Sequence, residues 1–269
     1  MRLHQWLLAL SCAVPLAGAG PALAKAQKTP AKEPTSFGTL QAPSLQAARA
    51  QALAWLQDAG KADPATLKQF NGLWEEADRP LLDKVAATLA LGDPQAAQLL
   101  AEARDPDAPA PTKVPGLLKD AKRPAFYRAN LALAYAKALS NRRVYEEALD
   151  ALRQAKPDQV VDPAAYFFHK AVAEHALLLR DQAGRSIVGV LEDVADAPQR
   201  YKLVAVLMLY DMQSWRDKDL GEIARKMDNV ERRLGLARGG PHTQKIQKEV
   251  VARLDEIIKK LESQKKGGS

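Results

Sequence analysis

Cysteine is almost absent from this chain of 269 residues: Cys12 is the only one. It lies in an apolar run near the start, so cleavage after Ala24 would leave no thiol. Disulfides, thiol catalysis and cysteine metal sites would then be excluded. Aromatic residues make up 6% of the chain, and no stretch sustains an alternation of apolar and polar residues, which argues against sheets. Gly-rich phosphate loops, a nucleophile elbow and a dinucleotide fingerprint are missing, and the serines are scattered without nearby histidines. Nothing implies a cofactor. Beyond the first two dozen residues no stretch is long and uncharged enough to span a bilayer.

What is present begins with a leader. The segment MRLHQWLLALSCAVPLAGAGPALAKA runs from Arg2 through an apolar stretch, Trp6 to Ala19, into small residues. That is the layout of a secretory signal peptide over residues 1–24, with Ala22-Leu23-Ala24 as the cleavage site and Ala24-Lys25-Ala26 as second choice. The mature protein is expected to be exported, periplasmic or extracellular. The residues before Cys12 match a lipid-attachment box only loosely and apolar sequence follows it, so no lipid anchor is expected there.

Abundant alanine and leucine predict packed helices. Residues 25–43 are rich in Lys, Pro, Ala and Thr with no apolar period and read as a disordered tether. Ser44 is placed to cap a helix carrying Leu45, Ala48, Ala52, Leu53 and Leu56 on one face. A start signal then recurs: Asp63-Pro64, Asp93-Pro94 and Asp162-Pro163 each set a capping carboxylate before a proline at the first helical position. Arg79-Pro80, Arg123-Pro124 and Ala197-Pro198 repeat the proline half, and Gly92 is placed to end the helix after Pro80. About ten or eleven short helices follow from this punctuation. Residues 44–104 form an N-terminal helical region. Prolines at 106, 109, 111 and 115 make 105–116 a stiff linker and a domain boundary. Further helical repeats occupy 117–216, a helical hairpin 217–263, and a flexible tail 264–269.

Pro124, Pro163 and Pro198 lie 39 and 35 residues apart. The first interval contains Leu131-Ala132, Tyr135, Tyr145-Glu146-Glu147-Ala148-Leu149 and Pro157. In this pattern it resembles a tetratricopeptide repeat, with about four extra residues between Tyr135 and Tyr145. The second interval keeps the length and Tyr166; a third retains only RYKLVAVLMLY. The chain as a whole is similar to exported bacterial proteins with degenerate repeats of this kind. The resemblance implies an all-α solenoid of stacked helix pairs with a binding surface for a protein or peptide, and it carries no catalytic residues.

The aromatic residues Phe126, Tyr127, Tyr135, Tyr166, Phe167 and Phe168 recur at helical spacing, which predicts inter-helix packing for most. Tyr127, Tyr135, Tyr166 and Phe167 are the candidates for lining a partner groove. His169, Glu174 and His175 suggest a metal, but histidines six residues apart are turned by about 240° on a helix and cannot chelate together. The glycines of AGRSIVGV, residues 183–190, are expected to allow close helix packing.

The net charge of +7 is uneven: residues 218–269 hold 13 Lys and Arg against 8 Asp and Glu. Interleaved acids make this a solvated helix face rather than a nucleic-acid patch. In RLGLARGGPHTQKIQKEVVARLDEII, residues 233–258, Gly-Gly-Pro breaks two helices. Arg238, Gly239, Gly240 and His242 could hold an anion at the second helix start, though a helical corner needs every one of these parts as well. The last helix carries Ile246, Val250, Leu254, Ile257 and Leu261. This stripe suits packing on residues 217–236, with weak self-association as the alternative because heptad spacing lasts only about two heptads. The function expected from all this is a non-enzymatic adaptor for a protein or peptide outside the cytoplasm. Two alternatives stand beside it: an accessory protein or hydrolase acting on envelope polymer, and a binder of anionic polymer or lipid through the basic C-terminal region.

Overall fold

In the computed structural model residues 37–267 are described, and among them every regular element is helical. The expected signal peptide with Cys12, and most of the expected tether, lie outside these residues. Four helices come first: α1 (Leu45–Asp58), α2 (Pro64–Glu75), α3 (Leu81–Gly92) and α4 (Pro94–Arg104). The short α5 (Gly116–Lys119) leads to two hairpins, α6 (Ala125–Asn141) with α7 (Tyr145–Leu152), and α8 (Pro163–Ala176) with α9 (Arg180–Val188). A π-helical turn over Gly189–Asp193 precedes α10 (Gln199–Gln213), α11 (Leu220–Gly235) and α12 (Pro241–Gly267). None of these helices is long and apolar enough to cross a membrane.

The start signals act as their chemistry requires. Ser44, Asp63, Asp93 and Asp162 each accept a hydrogen bond from a first-turn N–H, and the three aspartates stand before a proline at the first helical position. Each such cap is worth about 1 kcal/mol. Where no aspartate precedes it, the proline moves out by one position: Pro80, Pro124 and Pro198 are themselves the caps, with φ near −57°, −55° and −55°. Gly92 does end α3, but close packing explains the glycine. A Cβ there would stand 2.5 Å from the Trp55 ring. At Gly189 a Cβ would stand 2.4 Å from Phe167, whereas Gly184 has open space around it.

Four helices end in one kind of turn. After α1, α6, α8 and α11 a residue takes positive φ: Gly60 (68°), Arg143 (61°), Leu178 (61°) and Ala237 (57°). The next N–H in each case reaches back to the last helical turn, as Val144 does to Leu139 O (2.9 Å) and Leu179 to Glu174 O (2.8 Å). This satisfies carbonyls that a helix end leaves open. Arg143 and Leu178 are 35 residues apart, and the residues around them share backbone angles to within a few degrees. The α6–α7 and α8–α9 hairpins therefore turn in the same way, 35 residues apart. The longer spacing between their prolines is taken up in the first helix, which has 17 residues in α6 against 14 in α8, close to one turn.

One buried cluster runs from Ala48 to Tyr166 and a second from Ala164 to Met212, with Phe167 and Tyr201 packed against both. Residues 105–116, where the prolines predict a boundary, do not divide the core. Val114 and Leu118 are buried, and α3 and α4 pack directly on α6. Arginine side chains hold this segment down through its carbonyls: Arg142 donates to Ala108 O, and Arg238 to Pro111 O (2.6 Å). A proline-rich stretch has few N–H groups but keeps all its acceptors.

Two expected flexible stretches are structured where they are described. The end of the tether lies along the π-helical turn: Gly38 N–H donates to Glu192 O (2.7 Å), Leu40 N–H to Asp193 O (3.0 Å), and Ala195 N–H to Leu40 O (3.0 Å). Helix-end carbonyls without intrahelical partners invite such pairing. At the other end α12 continues to Gly267, through part of the tail expected at 264–269. The hairpin of α11 and α12 closes on Ile223, Val230 and Val250, as the apolar stripe of the last helix predicts.

Candidate functional site

An open cleft of about 670 Å³ lies where residues 39–43, α1, the start of α6 and the 3₁₀ turn Pro157–Gln159 meet. Its apolar wall is Trp55, Phe126, Val160 and four prolines, Pro43, Pro124, Pro157 and Pro163. Local sequence explains this concentration: capping prolines sit at helix starts, and three helix starts or turns converge here. Trp55 stacks on the buried Tyr127 at 5.3 Å between ring centroids, and the Gly92 backbone abuts the same indole. Its ring is held rigidly by that packing. Polar groups at the cleft are Gln41, Gln51 and Gln159 with the exposed carboxylates Asp58 and Asp158, which meet no cation among the described residues. A second cleft of about 390 Å³ shares Trp55, Asp58 and Pro124 with the first. The surface offers a hydrophobic floor, amide donors and acceptors, and negative charge.

Of the aromatic residues singled out as groove candidates none lines this cleft; Tyr127 lines the smaller second one, and Tyr135, Tyr166 and Phe167 line no described cleft. Tyr127, Tyr135 and Tyr166 are 0%, 2% and 6% exposed. The Tyr127 hydroxyl donates to Asp93 (2.6 Å), which also accepts from the Gln95 N–H and from Arg123. Burial works against the Asp93 charge, yet these hydrogen bonds outweigh it and hold its carboxyl below the usual range. Burial also pushes the Tyr135 hydroxyl up to about 12. The Tyr166 hydroxyl donates to Ala155 O (3.2 Å), and Phe167 fills the space above Gly189. All four hold helices together. Phe126, one position before Tyr127, is turned about 100° from it on α6 and faces the cleft. The apolar stripe read from the sequence, Leu45, Ala48, Ala52, Leu53 and Leu56, does not include Trp55, and only the tertiary fold places an edge of its ring at the cleft.

The Gly-Gly-Pro corner is an ion-pair centre. Arg232 grips Glu146 with two hydrogen bonds of 2.8 and 2.9 Å, Arg233 bonds the same carboxylate, and Arg238 reaches both Glu146 and Glu147 (2.8 Å to the latter). Burial opposes the charge on Glu146, but the Arg232 hydrogen bonds and the surrounding guanidinium groups bring its value down to about 2. Thr243 is buried, accepting from Arg233 (2.8 Å) and donating to Arg238 O. Arg238 is thus engaged by two carboxylates of the chain itself, and His242 is exposed apart from them. Among the described residues no unpaired arginine stands with Gly239 and Gly240, so the anion-site reading gives way to the corner. Arg225, Lys226 and Arg253 also pair with carboxylates, which thins the basic surface that the sequence suggests.

His169 and His175 are separated as their spacing requires. His169 is buried, and burial draws its imidazole down to about 4. His175 pairs with Asp211 at 2.8 Å near Trp215. Among the described residues no group of three His, Cys, Asp or Glu side chains could hold a metal ion. One further cluster was not foreseen: Ser186 donates to the buried Glu174 (2.6 Å) and receives Lys170 at 3.3 Å. Serine beside lysine suggests a nucleophile, but Ser186 is 1% exposed and no described cleft reaches it. Its role here is to satisfy a buried carboxylate.

Over its described residues the chain is an all-α protein of packed helices, two of whose hairpins share one turn conformation 35 residues apart. Compared with protein-family models, with curated proteins and with solved structures, the chain has no significant match.

Proposed function

We propose that this chain is a non-enzymatic adaptor working outside the cytoplasm, in which tetratricopeptide-like helix pairs present a cleft for an extended segment of a protein partner. The cleft between α1 and the start of α6 carries this reading. Its rigid apolar floor of Trp55, Phe126 and prolines suits apolar side chains, and the glutamines suit a peptide backbone. Asp58 and Asp158 favour a ligand bearing lysine or arginine. The 35-residue recurrence of the two hairpins supports the solenoid part of the reading, and the leader-like start supports export.

The test is a random peptide display selection on the purified chain, followed by titration of the enriched peptides against wild type and Ala54→Arg. Ala54 is an exposed residue of α1 on the cleft wall, and arginine is well tolerated in helices. Peptides combining apolar and basic residues should bind wild type and lose about tenfold or more in affinity, roughly 1.4 kcal/mol, with the variant. No enrichment, or peptides indifferent to Ala54→Arg, would remove the cleft as the binding surface.

A further inference from the structure

The helix α10 is apolar on two sides. One face, with Ala205, Met208 and Met212, is buried against α8, α9 and the π-helical turn. The other carries Leu203, Val206, Leu207 and Tyr210, which are 58%, 47%, 60% and 75% exposed. Their spacing, i, i+3, i+4 and i+7, makes one continuous stripe. In the repeat this is the face on which a following hairpin would stack, as α8 stacks behind α6 and α7. Among the described residues no hairpin stacks there: α11 packs against α12 instead. Four large side chains along about 10 Å of helix are left in water by the fold itself.

The charges beside the stripe say what fits it. Arg200 and Asp211 are eleven residues apart, about three helical turns, so they share one flank of α10 at opposite ends of the stripe. Arg200 is exposed, lies over the Tyr201 ring and meets no carboxylate among the described residues. One oxygen of Asp211, Oδ2, receives both His175 (2.8 Å) and the Trp215 indole N–H (2.9 Å). The other, Oδ1, is left for an outside donor. When two copies of a helix pair antiparallel about a two-fold axis, each flank meets its own copy reversed. Leu203 then faces Tyr210 of the second copy, Val206 and Leu207 each meet their equivalents near the axis, and Arg200 meets Asp211 twice. We infer that α10 is the interface of an isologous homodimer, two solenoid ends joined face to face. A stripe of this size buries less than a standard interface, so the dimer should be weak and reversible, with a dissociation constant on the order of 10 to 100 μM.

Sedimentation velocity of the purified chain over a concentration series tests this. Wild type should pass reversibly from monomer to dimer. Leu207→Glu should stay monomeric with a circular dichroism melt close to wild type, since the residue is 60% exposed in the monomer. Arg200→Glu and Asp211→Lys should each weaken the dimer by about tenfold or more, and an equimolar mixture of the two should regain it, because only the mixed pair restores both contacts. If Asp211→Lys disturbs the His175 and Trp215 contacts and fails to fold, the Leu207→Glu and Arg200→Glu results still decide. A wild type that remains monomeric to about 0.5 mM, a dimer indifferent to Leu207→Glu, or a stripe that binds only lipid vesicles or another protein would overturn the proposal. The result is independent of the peptide cleft, which lies on α1 and α6.

Discussion

Glu146 gathers more charge than any other carboxylate described. Three guanidinium groups converge on it from the end of α11 and the corner beyond. One of them, Arg232, is 5% exposed and has little solvent to fall back on. Glu146→Gln keeps the shape and removes the charge, which should cost about 3 kcal/mol, since half of a buried ion pair is worse than none. Hydrogen exchange of α11 and α12 should speed up while α6 and α8 stay protected; unchanged protection of α11 would show that apolar contacts, not this centre, dock the hairpin. The same group predicts an acid response. Its folded value of about 2 lies below the ordinary 4.5, so its contribution is complete above pH 4.5 and is lost as pH falls toward 2. Arg238 was visible in the sequence as a charge beside a helix break. Its carboxylate partners were not, because Glu146 and Glu147 lie 92 and 91 residues earlier, and charge complementarity at that distance has no periodic signature.

At the scale of elements, helix starts were the most legible feature because a cap is a local event. The carboxylate of Asp63 reaches N–H groups two and three residues on, so sequence and structure describe the same short piece of chain. Helix ends were less legible. Only Gly60 among the four positive-φ turns announces itself; Arg143, Leu178 and Ala237 take the same conformation without glycine. Such residues bear a backbone cost of about 1 kcal/mol. Arg143→Gly should therefore raise stability by roughly 0.5 to 1 kcal/mol, since the Arg143 side chain is exposed and its carbonyl still accepts from Arg232 (2.9 Å). A rise of a few degrees in melting temperature would bear this out; a fall would mean that the arginine side chain contributes more than the strain removes. The face of α10 belongs to this scale as well. Its apolar residues run round the helix, and the structure covers one side only.

For the whole molecule, the continuity of the core across residues 105–116 has a measurable consequence. Trp55 and Trp74 are buried in the first cluster, and Trp215 packs against the second. With Phe167 and Tyr201 shared between the two, urea unfolding followed at Trp55 and Trp74 should coincide with unfolding followed at Trp215 in single-tryptophan variants. Two separated transitions would mean that the prolines divide the molecule after all.

Helix class and helix starts were determined by sequence alone, because caps, propensities and periodicity act over a few residues and need no knowledge of neighbours. Which aromatics face water was decided only by the tertiary structure. Tyr127 and Phe126 are adjacent in sequence and equally aromatic, yet one stacks inside on Trp55 and the other lines the cleft. The same holds for the pairing of Arg238, the pinning of Leu40 on residues 193–195 and the bare side of α10. Each depends on what another part of the chain places beside it, and burial is a property of that pairing rather than of the residue.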